Sequence, residues 1–165
     1  MKRTLNVLHF SLYVIENKLH FLFNKINPAL LLYKIPSIKN RMKEKYGIEN
    51  PTEWYNRFWT DKKDGFSLWF SGGWLIGIIA LIFISIGKIA INITNPEIVL
   101  NYYYFILLGG LSYLICYFFV FKNDGYLKYF DEFKNWTKTE KRKNVLLSLG
   151  FIIGVIALFF SSLLF

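Results

Sequence analysis

Acidic residues, histidine and cysteine are all scarce in this 165-residue chain, and each scarcity closes off a class of chemistry. The single cysteine, Cys116, stands inside an apolar run, so neither a disulfide framework nor a cysteine-based metal site can be assembled within the chain. His9 and His20 cannot supply four metal ligands by themselves. Glu16 and His20 stand one helical turn apart and His9 almost two turns from Glu16, which reads as a polar stripe with one i,i+4 pair. No Ser-His-Asp order, glycine-rich phosphate loop or pair of carboxylates in an apolar run is present, so no enzyme activity and no cofactor are expected. The three longest apolar runs contain no Asp, Glu, Lys, Arg or His. Proton relays, ion-coupled carriers and charged filters are built on such residues, so an autonomous transporter is not expected either.

What is abundant is apolar and aromatic: 54% hydrophobic, 20% aromatic, with a positive mean hydropathy. That balance puts the chain in the membrane class. The formal charge of +9 fits the basic flanks of inner-membrane proteins, and nucleic acid is not the expected partner. The reading is an all-α membrane protein with three transmembrane helices, at about residues 66–87, 98–121 and 145–165, plus amphipathic interfacial helices at the N terminus and between spans. Residues 1–65 form a cytoplasmic-side interfacial region and 66–165 the three-span domain, with a basic interfacial loop at 122–144. The first span, 22 residues at 1.5 Å each, reaches roughly 33 Å and suffices for a hydrocarbon core of about 30 Å.

Ahead of the first span, Leu5, Leu8, Leu12, Ile15, Leu19, Leu22, Phe23 and Ile26 fall on one helical face and His9, Glu16, His20 and Asn27 on the other. An amphipathic helix results, resting on the headgroup layer or on a protein partner. Asn27-Pro28 and Asn50-Pro51-Thr52-Glu53 each read as an N-cap followed by proline at the first helical position, the second also as a capping box. Ser37 is expected to cap a basic helix running to Gly47. Asn95-Pro96 signals a turn before the second span. Trp54 and Trp59 before the first span, and Tyr126, Tyr129, Phe130, Phe133 and Trp136 before the third, are the expected interfacial anchors, with Lys141, Arg142 and Lys143 at the mouth of the third.

Lysine and arginine are distributed twelve in residues 1–65, one in 88–97 and seven in 122–144. The positive-inside rule then places the N terminus inside and the C terminus outside, in a bacterial or mitochondrial inner membrane. Small residues supply the packing signal: Gly73, Gly77 and Ala80 share a face of the first span, Gly109-Gly110 lie in the middle of the second, and Gly150, Gly154 and Ala157 share a face of the third. A shift of 77 residues aligns Trp59–Ser85 with Trp136–Ser162 at eleven identities in 27 positions, glycines included. Pairing of the first and third spans through these glycines is the first expectation, homo-oligomerisation the rival. The functional expectation is a non-catalytic accessory subunit of a larger membrane complex, its partners being lipids and other integral subunits or further copies of itself. The alternative is a self-associating protein that permeabilises or perturbs the bilayer, such as a toxin, holin-like or defence protein.

Overall fold

The computed structural model describes residues 1–94 and 101–164, and among these every regular element is helical. In order they are α1 (Lys2–Phe23), α2 (Pro28–Leu32), α3 (Pro36–Tyr46), α4 (Pro51–Thr60), α5 (Phe66–Thr94), α6 (Tyr102–Cys116), α7 (Gly125–Lys134) and α8 (Lys138–Leu164). Three stretches are long and apolar enough to cross a membrane: Phe66–Thr94, Tyr102–Lys134 and Lys138–Leu164. The Asn95-Pro96 turn, the expected start of the second span at Ile98 and its end point Phe165 for the third lie outside the described residues. α5 runs seven residues past Gly87, the expected end of its span, and α8 begins at Lys138, seven residues before Val145.

The helix starts follow from local chemistry. Asn27 accepts the Ala29 amide at 2.9 Å, and Asn50 accepts the Glu53 amide at 3.3 Å while donating to the Glu53 carboxylate, with Pro28 and Pro51 opening their helices. Such caps contribute about 1 kcal/mol each. Thr137 and Glu140 form a reciprocal capping box at the start of α8. Ser37 does not cap α3: Pro36 already occupies the first helical position and Ile35 precedes it without a side-chain bond. Gly47, at φ 67°, closes α3 in the left-handed conformation that glycine adopts without strain.

Contacts divide the chain into two compact units, Met1–Leu12 with Gly72–Phe165, and Tyr13–Ser71. The boundaries fall within α1 and α5. In the first unit α6 passes into a π turn, Tyr117–Phe121, and a single 3₁₀ turn, Lys122–Asp124. Asn123 and Asp124 take φ of 55° and 52°, and these two residues, not Gly125, supply the left-handed backbone at the entry to α7. Asn and Asp tolerate this region best among side-chain-bearing residues. α7 turns Tyr126, Phe130 and Phe133 inward and leaves Lys128, Asp131, Glu132 and Lys134 exposed.

α1 departs from its expected polarity. Asn6 and every residue from Leu8 to Val14 are buried, so this part of the helix is enclosed on all sides. Two of its polar groups bond there: the Asn6 amide nitrogen donates to the carbonyls of Lys2 and Phe119, and within the second unit the Tyr13 hydroxyl donates to the Thr60 carbonyl. Further along, the expected apolar face is the outward one, with Leu19, Leu22, Phe23 and Ile26 at 41%, 57%, 60% and 76% exposure while His20 is buried. The helix is inside-out over this stretch, because the polar positions on it meet other polar side chains of the same unit.

Candidate functional site

Four features combine chemistry with position, two in each unit. In the first unit, His9 sits fully buried among rings: Phe121 at 5.5 Å, Tyr126 at 5.6 Å and Phe130 at 5.1 Å between centroids. Phe10, next to it, packs on Phe130, Phe133 and Trp136. Edge-to-face aromatic pairs add about 0.5–1.5 kcal/mol each beyond their burial. This cluster rests on α5 at Gly72, where an added Cβ would lie 3.3 Å from the Phe121 ring and 3.9 Å from His9 Nε2. Gly72 thus permits the close approach of the Phe121 ring to α5. The small-residue face expected from the sequence begins instead at its neighbour Gly73, where a Cβ would meet nothing within 4 Å.

The membrane-length helices provide the second feature. Gly73, Gly77, Gly109, Gly110, Gly150 and Gly154 all face open space: a Cβ on any of them would meet nothing within 4 Å. No described residue of the chain therefore takes up the close approach these glycines permit, and the expected pairing of the first and third spans through them is not found. The buried seams lie elsewhere and are built on serine. Ser71, Ile78 and Ser85 on α5 are buried, as are Ser148, Val155 and Ser162 on α8, and these are the same positions under the 77-residue shift. Ser112, Cys116 and Val120 form the corresponding buried line from α6 into the π turn. Ser71, Ser85, Ser112 and Ser162 each donate to a carbonyl three or four residues back, at 2.7–2.9 Å. Their hydroxyls are satisfied within their own helix, so the contribution of serine at these seams is small volume.

In the second unit, His20 Nε2 lies 3.1 Å from Asn56 Oδ1 and 3.0 Å from Asn24 Nδ2, and Asn24 donates to Asn56 at 2.7 Å. The imidazole stacks on Trp59, 5.1 Å between centroids with planes 18° apart. Burial pushes the His20 pKa below the ordinary histidine value, and the bond to Asn56 pulls the other way. His9 and His20 thus have separate surroundings, and among the described residues no group of three His, Cys, Asp or Glu side chains could hold a metal ion.

The fourth feature is a cavity of about 310 Å³ where α4 ends and α5 begins, lined by Trp54, Arg57, Phe58, Asp61 and Asp64. Trp54 and Phe58 stack with centroids 5.8 Å apart and planes at 14°. Asp61 Oδ1 accepts the amides of Lys63 at 2.7 Å and Asp64 at 2.9 Å, which together hold its carboxyl below the usual carboxylate range. Gly65 is required here, since a Cβ would collide with the Asp61 backbone and lie 2.8 Å from the Trp59 carbonyl oxygen.

The expected anchors divide by surroundings. Trp54 is exposed, and Trp59 is half-buried between His20 and Phe70. Tyr126, Phe130 and Phe133 are buried in the aromatic cluster, Tyr129 and Trp136 are half-buried, Lys141 lies over the Phe10 ring, and Arg142 and Lys143 are exposed. Ala80 is half-buried and Ala157 exposed. No family model, curated protein or solved structure matches this chain.

Proposed function

We propose that this chain is a non-catalytic accessory subunit of a larger integral membrane assembly, seated in lipid and joined to its neighbours through the open glycine faces. The observation that carries the reading is the vacancy over Gly73, Gly77, Gly109, Gly110, Gly150 and Gly154. A glycine in a membrane helix costs stability and creates value only when a second backbone approaches it closely. Three helices with such faces, and no described segment of the chain upon them, leave the partner to come from outside.

Further support comes from the outward surface. Only 17% of the most apolar window of each long helix is buried, and large apolar side chains such as Trp69, Trp74, Phe105, Leu107, Leu147 and Ile153 are exposed. Patches of this extent mark contact with lipid or protein. In this reading the basic 1–65 and 122–144 regions lie on the inner side of a bacterial or mitochondrial inner membrane, the N terminus inside and the C terminus outside, as the lysine and arginine distribution favours. The open faces serve self-association equally well, so a bilayer-perturbing homo-oligomer is the second reading.

Extraction of the full chain from its native membrane in a mild detergent, followed by native mass measurement, decides between the two. A heteromeric complex is expected, and replacing Gly77 and Gly154 by Leu is expected to release the chain from it while leaving the single chain folded. A uniform homo-oligomer overturns the subunit reading in favour of the second. A complex unchanged by Gly77→Leu with Gly154→Leu removes the glycine faces as its cause.

A further inference from the structure

We propose that the cavity at the α4–α5 junction binds the headgroup of a zwitterionic phospholipid, with Arg57 receiving the phosphate and Asp61, Asp64 and the Trp54–Phe58 ring pair receiving the ammonium. The inference rests on the membrane reading above for its location: the cavity's residues end at Asp64, two positions before Phe66 opens the first membrane-length helix, which puts them at headgroup level.

The composition of the walls selects the ligand. Five residues line about 310 Å³, and between them they carry one guanidinium, two carboxylates and two aromatic rings. A guanidinium is suited to phosphate because its planar fork presents paired donors to two oxygens. Aromatic faces beside carboxylates form the setting that recognises an ammonium group, through the ring quadrupole and direct charge. A ligand that satisfies both halves carries a phosphate and an ammonium within one small group. An anionic headgroup would engage Arg57 but meet two carboxylates of its own sign, a repulsion that selects against it.

The carboxylate side is also prepared in advance. The two amide bonds from Lys63 and Asp64 both fall on Asp61 Oδ1, so neither occupies Oδ2. The backbone turn that makes these bonds is fixed by Gly65, whose missing side chain lets the chain pass against Asp61. Trp54 and Phe58, one turn apart on α4 and stacked on each other, also line the cavity, and the Phe58 ring lies 5.0 Å from that of Phe66. A turn already formed around Asp61 reduces the ordering cost of binding.

The test uses the full chain in mild detergent, with phosphatidylethanolamine, phosphatidylcholine and phosphatidylglycerol added in turn and retained lipid counted by native mass spectrometry. Wild type is expected to retain phosphatidylethanolamine over phosphatidylglycerol by about five- to tenfold, the range expected for partly exposed charge and ring contacts. Equal retention of phosphatidylcholine also supports the proposal, with the ammonium then held by charge and rings alone. Asp61→Asn with Asp64→Asn, which keeps an oxygen acceptor for the turn amides, is expected to abolish the preference, and Arg57→Gln to weaken retention of all three lipids. Asp64→Asn alone, whose side chain takes no part in the turn bonds, should lower the preference even if the double variant fails to fold. Retention of phosphatidylglycerol equal to phosphatidylethanolamine by wild type, or an unchanged preference in Asp64→Asn and the double variant, overturns it. Recovery of the chain from the aqueous fraction without detergent would instead sink the membrane reading, so the two failures are separable.

Discussion

α5 and α8 carry matching residues at positions 77 apart, yet α5 is buried on two faces and α8 on one. Both bury the seam: Ser71, Ile78 and Ser85 on the former, Ser148, Val155 and Ser162 on the latter. Only α5 also buries Gly72, Leu75 and Ile79, beneath His9 and Phe121 in the case of the glycine. Their counterparts on α8 are Leu149 and Ile156, 37% and 42% exposed, and Ile152, half-buried. An open apolar cleft of about 300 Å³ between α1 and α8, walled by Leu5 and Leu8 on one side and Leu147 and Phe151 on the other, marks the looser fit. Ile79 and Ile156 are identical in type, so the second buried face of α5 is set by what stands beside it. A helix that repeats the seam but lacks that neighbour leaves the corresponding side exposed.

The largest effect that tests this asymmetry is expected at Phe130, fully buried on α7 against His9 and Phe10. Phe130→Ala should cost about 3–5 kcal/mol of unfolding free energy, since a large aromatic leaves a cavity its neighbours cannot fill. Val155→Ala on the α8 seam removes only two methyl groups and should cost about 1–2 kcal/mol. Both are measured by denaturant titration in mixed micelles, and equal costs would show the α8 seam to be as tightly held as the aromatic cluster of α1 and α7. Next in size is a contrast between adjacent glycines. Gly72→Leu drives a side chain into Phe121 and should destabilise by about 1–3 kcal/mol or more. Gly73→Leu meets open space and gains helix propensity of up to about 1 kcal/mol, so it should be neutral or stabilising in the single chain. If both variants lose stability alike, the face assignment on α5 is wrong.

How far residues announce these arrangements depends on whether the cause is local. The three long apolar helices, the caps at Asn27 and Asn50 and the stop at Gly47 follow from hydropathy and from backbone groups within a few residues, and all were readable in the chain. The choice of Gly72 over Gly73 was not, because adjacent glycines have the same intrinsic effect and only a non-local ring, Phe121, separates them. The polarity of α1 misled for a related reason. A stripe of Asn6, His9, Tyr13 and His20 looks like a wet face when water is the only partner considered, and becomes an inward face once carbonyls, rings and amides are brought to it. The α4–α5 cavity has a signal in the chain, Trp54, Arg57, Phe58, Asp61 and Asp64 at spacings of three and four, of which only Trp54 stands among the expected interfacial anchors.

The smallest expected effect concerns how the two matched segments begin. Trp59 and Trp136 correspond under the 77-residue shift, but Trp59 stacks on His20, whereas Trp136 packs on Phe133 and Phe10, which do not titrate. Because burial lowers the His20 pKa, the unfolded chain takes up a proton at this residue more readily than the folded one. The contribution is fully present above the unfolded value of 6.5, declines as pH falls from there toward the folded pKa, and changes no further below it. Thermal midpoints measured at pH 7.5, 6.5 and 5.5 should therefore fall at the lowest pH in wild type, and His20→Gln, which cannot take up the proton, should reduce that fall. Trp59→Phe should leave part of it, because Asn24 and Asn56 still enclose the ring. If His20→Gln keeps the full slope while Phe133→Leu, at the entry to α8, removes it, the pH sensitivity belongs to the other segment and the contrast between the two beginnings is reversed.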